Sequence, residues 1–170
     1  MPEYLNNEIS FAFDMNGCPN HCRHCYLGMA SNIKMQEDEV FKEFERIRSY
    51  VDNGNAGPFL KKVKYFSTWL REPDYSDNYR MLYEKELVFN DGAAYRKNYQ
   101  LLSVWRLAGD DSYARWAKSI GTEKCQLTLF GMKDVTDWFY RRKGAFDDVL
   151  NATESLLDAG IKPRWQLFLT

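Results

Sequence analysis

The stretch ISFAFDMNGCPNHCRHC, from Ile9 to Cys25, changes character once along its length. Ile9 to Phe13 is a short apolar run of β-branched and aromatic residues, which predicts a strand. Asp14, Asn16, Gly17 and Pro19 then supply loop chemistry that ends it. Cys18, Cys22 and Cys25 follow at intervals of four and three, so a tight loop can turn all three sulfurs upon one inorganic group. The same spacing would make one stripe on a helix, but Pro19 and Asn20 interrupt that reading.

Outward from this stretch the chain alternates. From Gln36 to Val51 the apolar residues Val40, Phe41, Phe44, Ile47 and Val51 recur at helical spacing, with Glu37, Asp38 and Glu39 where a helix dipole favours them. Turn residues 52–58 lead to a second predicted strand, Val63 to Trp69, which runs into the loop Arg71-Glu72-Pro73-Asp74. A helix is expected within Asp77 to Asn98, broken at Asn90-Asp91-Gly92, and a third strand over Leu101 to Leu107. A short helix over Asp110 to Ile120 stops at Gly121, and Cys125 to Phe130 is the fourth strand. Phe146, Val149, Leu150, Leu156 and Leu157 line a helix ended by Gly160, and Trp165 to Leu169 is a fifth, buried strand. Strands and helices in this order imply an α/β fold, a parallel sheet with right-handed crossovers whose functional loops follow the strands. Trp69, Trp105, Trp138 and Trp165 are expected in the core, over the sheet, or lining a cavity.

The 170 residues are 45% hydrophobic and 28% charged, enough for one core, and a single domain over residues 1–170 is expected. Lysine plus arginine number 23 against 24 aspartate plus glutamate, so no excess positive charge exists to hold nucleic acid or an anionic membrane. No basic, then apolar, leader opens the sequence, and nowhere do about 18 apolar residues run together as a span requires. With three cysteines crowded into residues 18–25 and Cys125 alone, metal ligation fits better than disulfides, and a reducing cytoplasmic setting is expected. Cys125 reads as a small buried residue.

Soft thiolates select zinc, copper(I) or iron–sulfur clusters, and cubane clusters ordinarily take four cysteines. Three would leave one iron open to another ligand. Zinc completed by His21 or His24 is the competing reading, although zinc loops usually come with a second ligand pair that is lacking here.

The motif Cys-x-x-x-Cys-x-x-Cys directly after a first strand, here NGCPNHCRHCYLG, resembles the signature of the radical S-adenosylmethionine superfamily. The resemblance implies a partial parallel (β/α) barrel, TIM-like, and a [4Fe-4S] cluster on Cys18, Cys22 and Cys25. It also implies that the open iron chelates S-adenosylmethionine, which is reductively cleaved to a 5′-deoxyadenosyl radical that abstracts hydrogen from a substrate. By the same resemblance His24 packs on the adenine side, and Glu72, in Leu70-Arg71-Glu72-Pro73 where the family has Gly-Gly-Glu-Pro, receives the methionine amino group. The segment from Cys125 to Phe146 resembles the members that modify peptides and proteins, so Thr128 meets the ribose and Arg141 the carboxylate, with Arg142 a substitute one residue on. Phe130 stands where that group usually has aspartate. No catalytic side chain is assigned.

Two readings compete with these roles: Glu72 as a solvated loop carboxylate, and Arg141-Arg142-Lys143 as a solvated basic loop. Because the family barrel has six strand–helix units, the chain is read as the N-terminal part of a longer protein, truncated after about the fifth strand and poorly active alone. An external electron donor of flavodoxin or ferredoxin type and a peptide or small-molecule substrate are the expected partners, without nucleic acid or membrane. The alternative is a non-catalytic zinc or iron–sulfur module.

Overall fold

The computed structural model describes residues 8–25, 33–51, 57–63, 65–71, 73–90 and 101–168. The chain is mixed α/β, with two separate pairs of short parallel strands and no closed barrel among the described residues. It divides into two compact units, Met1–Gly17 with Ile33–Tyr95, and Cys18–Asn32 with Arg96–Thr170.

In the first unit β1 (Glu8–Asp14) pairs in parallel with β2 (Tyr65–Arg71), in the register Ile9 to Phe66 and Phe13 to Leu70. The connection carries α1 (Glu37–Ser49), where Val40 and Phe44 are buried and the Glu39 carboxylate accepts from the Gln36 N–H at 3.0 Å. Acidic residues in its first turn and Arg46 and Arg48 in its last complement the helix dipole. Met15, Val40, Phe44, Leu70 and Leu82 form the core with Phe89, whose ring stacks on Phe44 at 4.4 Å.

After β2 comes α2 (Tyr79–Phe89), which ends at Asn90, as the expected Asn-Asp-Gly break requires; residues 91–98 lie outside the described ones. Two side chains at the end of α2 finish the sheet. The Thr68 N–H donates to Asn90 Oδ1 at 3.0 Å and the Leu70 N–H to Glu86 Oε1 at 2.9 Å. These are backbone donors that a further strand would otherwise have satisfied.

In the second unit α3 (Val104–Gly109) and α4 (Tyr113–Ser119) precede β3 (Lys124–Leu129), followed by α5 (Lys133–Tyr140), α6 (Ala145–Asp158) and β4 (Lys162–Leu167). β3 pairs in parallel with β4, Leu127 opposite Trp165 and Thr128 opposite Gln166. α6 buries Ala145, Val149, Ala152 and Leu156, and fully burying an aliphatic side chain such as Leu156 contributes about 1.5–3 kcal/mol. Both glycine stops act as expected: with φ of 98° at Gly121 and 71° at Gly160, each lets the next residue reach back, Thr122 to Ala117 at 3.0 Å and Ile161 to Leu156 at 2.8 Å.

Three expectations are corrected. Leu101 to Leu107 is not a strand: Ser103 caps a helix by accepting from the Arg106 N–H at 3.1 Å, and Leu107 is buried on it. A short apolar run carries no periodicity that separates strand from helix, and the cap decides. The last strand begins earlier than Trp165 and is not buried, since Trp165 and Leu167 are 48% and 60% exposed. Trp105 and Trp138 are likewise exposed instead of filling a core, while the Trp69 side chain lies outside the described residues.

Asn90→Ala should leave the Thr68 N–H without its acceptor in a buried setting and cost about 1–3 kcal/mol. Urea unfolding measures it, and an unchanged midpoint would mean that water replaces the amide.

Candidate functional site

The cysteine loop lies in the second unit, on a surface built by α5 and the end of β3. α5 exists because Met132 opens a helix with Asp134 in its first turn, while the Thr136 hydroxyl ties its start down, donating to the Gly131 carbonyl at 2.9 Å and accepting from the Phe130 N–H at 3.2 Å. At its far end the Tyr140 hydroxyl donates to the Thr128 carbonyl at 3.0 Å. Asp137 accepts from the N–H groups of Gly144 (2.7 Å) and Phe146 (2.8 Å), and so caps α6, whose own N-cap is a glycine. Burial alone would raise the Asp137 pKa, but these two donors with the charges of Lys133 and Arg142 outweigh it and hold the carboxyl below its ordinary value.

On this platform the loop is held by its backbone. The His21 N–H donates to the Tyr140 carbonyl at 3.2 Å and the Arg23 N–H to the Phe139 carbonyl at 2.8 Å. The Arg23 guanidinium lies 3.8 Å from the centre of the Trp138 ring, and its Nε donates to the Trp138 carbonyl at 3.1 Å. A turn closes with the Cys25 N–H on the Cys22 carbonyl at 3.1 Å.

Cys18, Cys22 and Cys25 are all half-buried, and Cys22 packs against the cluster of Phe130, Tyr140 and Ala145. Burial, then the neighbouring Cys18 and Cys25, push the Cys22 thiol up to about 12, with Arg142 opposing. Burial and then Cys22 also raise the Tyr140 phenol. The donor set fits a cationic soft group, because bound iron or zinc would offset the burial, and then the neighbouring thiols, that keep Cys22 protonated. Among the described residues no three His, Cys, Asp or Glu side chains are grouped as a single metal ion would need. A cubane cluster gives each cysteine a different iron, so its ligands need not converge on one point.

The other predicted residues separate. The His24 ring lies 4.6 Å from Phe130 and 6.3 Å from Phe168, and burial lowers its pKa. Thr128 sits on the less buried face of β3 with Gln126, opposite Cys125, Leu127 and Leu129, and Gln126 donates to Gln166 on the neighbouring strand. Arg141 is exposed at the end of α5 in left-handed backbone (φ 52°), whereas Arg142 is the arginine brought to the loop, its Nε donating to Asn20 Oδ1 at 2.6 Å. Cys125 is buried, as expected of a small core residue. Glu72 lies outside the described residues, as do Tyr26, Leu27 and Gly28. Sequence reasoning missed α5, although Val135, Trp138 and Phe139 at helical spacing behind Asp134 carried the signal.

No protein-family model matches the chain, and no curated protein matches it. No helix among the described residues is long and apolar enough to cross a membrane.

In the metal-free chain at about pH 8, Cys22 should alkylate at least about tenfold more slowly than in the urea-unfolded chain, because its folded pKa stands near 12 against 9.0. Peptide mapping of a labelling time course reads this, and equal rates would contradict the burial account. Asp137 has a lowered folded pKa, so its stabilisation is present above the ordinary 3.8 and lost as the pH falls below it. Asp137→Asn should therefore flatten that acid limb of the unfolding midpoint.

Proposed function

We propose that the chain is a radical S-adenosylmethionine enzyme, its cluster ligated by Cys18, Cys22 and Cys25. The observation that carries the reading is a three-thiol loop after β1, with backbone bonds from His21 and Arg23 to α5 and with all three thiols half-buried. When bound, a [4Fe-4S] cluster supplies the electron that splits S-adenosylmethionine into methionine and a 5′-deoxyadenosyl radical.

The chain's own residues then divide the work of binding. His24, against Phe130, bounds the adenine side; Thr128, on the polar face of β3, meets the ribose; exposed Arg141 meets the carboxylate. Glu72 receives the methionine amino group. The fold this reading implies is a partial β/α barrel, and Gln126 and Thr128 share the less buried face of β3. Tyr140, kept neutral by burial and the nearby thiols, offers its proton to the Thr128 carbonyl and not to the sulfurs. The protein acts in the cytoplasm with an electron donor of flavodoxin or ferredoxin type, on a peptide or small-molecule substrate.

Anaerobic reconstitution with iron and sulfide, followed by electron paramagnetic resonance of the reduced protein with and without S-adenosylmethionine, tests this. A cubane signal that changes on adding the ligand is expected, together with 5′-deoxyadenosine, and Cys18→Ala, Cys22→Ala and Cys25→Ala should each abolish the signal. Stoichiometric zinc without a cluster, or a cluster indifferent to the ligand, would replace this reading with a non-catalytic metal module.

A further inference from the structure

The arginine pair at the junction of α5 and α6 is divided between two environments. Arg141 is exposed. Arg142 is partly buried and meets two side chains: Nε donates to Asn20 Oδ1 at 2.6 Å, and Nη2 forms an ion pair with Asp148 Oδ2 at 2.6 Å, outside hydrogen-bond geometry, with the two charged side chains each 23% exposed. Its backbone is pinned as well. The Arg142 N–H donates to the Asp137 carbonyl at 3.1 Å, closing α5, and its carbonyl accepts from the Ala145 N–H at 3.4 Å, opening α6.

Asn20 lies between Cys18 and Cys22, upstream of the points where His21 and Arg23 are bonded to α5. Those backbone bonds hold the second half of the loop, and Arg142 reaches the first half from a base that both helices fix. We propose that Arg142 is a positioning residue for the cysteine loop, clamping Asn20 to Asp148 so that Cys18 and Cys22 are held in place before any metal arrives. A ligand loop ordered in advance does not lose its conformational freedom at the moment of loading. Arginine suits the task because one nitrogen of its guanidinium donates to an amide oxygen while another brings charge to a carboxylate, where a lysine is a single point charge. The clamp is a property of the metal-free chain, and only its consequence for cluster loading rests on the function proposed above.

Hydrogen–deuterium exchange on the metal-free chain tests the clamp. In Arg142→Gln and in Asn20→Ala the amides of His21 and Arg23 should lose about tenfold in protection, the scale of one charge-assisted hydrogen bond. The double variant should lose no more than either single one, since both break the same contact. Arg142→Lys should fall between, and Arg141→Gln should leave the loop as in the parent chain. If Asn20→Ala keeps full protection, or if the α6 amides lose as much as the loop in every Arg142 variant, Arg142 serves α6 alone and the clamp is refuted. Iron and sulfide content after reconstitution supplies the second reading, expected to fall several-fold in Arg142→Gln and Asn20→Ala. A parent chain that takes up neither iron nor sulfide would overturn the proposed function, while the exchange comparison would still decide the clamp.

Discussion

The hydrogen bond from the Tyr140 hydroxyl to the Thr128 carbonyl folds α5 back over the end of β3, and the candidate site is assembled on the surface this creates. With α5 in that place, the carbonyls of Phe139 and Tyr140 become acceptors for the cysteine loop, and Asp137 becomes the cap that starts α6. The helix that receives the loop is therefore the helix that organises the next element. A change in the aromatic end of α5 reaches both, since the Phe130 ring contacts those of Phe139 and Tyr140 and Cys22 packs against the same cluster.

Electrostatics give the site a direction. Three thiols share a half-buried loop, and a nearby arginine offsets only part of the cost of ionising the middle one. The folded chain alone thus favours protonated sulfur at Cys22, and positive charge brought to the loop would favour the thiolate.

What the sequence disclosed follows from how local each signal is. The glycine stops at 121 and 160, the acidic residues at the head of α1 and the strand from Cys125 are short-range patterns, and they were legible. The thiol spacing was legible too, but not what the loop rests on, because His21 and Tyr140 lie far apart in the chain and bond through backbone groups that carry no side-chain signature. α5 was overlooked because eight residues after a strand were read as a functional loop by analogy. Which of Arg141 and Arg142 meets the cysteine loop was not legible either, because adjacent like residues differ only in which way the end of a helix turns them; Arg142 bonds Asn20, and Arg141 is exposed in left-handed backbone. The run at 101–107 failed differently, since a serine cap and a buried leucine fit a helix as well as the apolar content fits a strand.

The bonds from the second strand of the first unit to Glu86 and Asn90, at the end of α2, have a meaning for the protein in a crowded solution. An open sheet edge is an invitation to another chain, whose strand can dock there by main-chain pairing and begin an aggregate. In β2 the N–H groups of Thr68 and Leu70 already belong to acceptors of their own chain. An incoming strand would have to evict a carboxylate and an amide from buried or half-buried positions before gaining a single bond, so this edge carries its own guard against self-association.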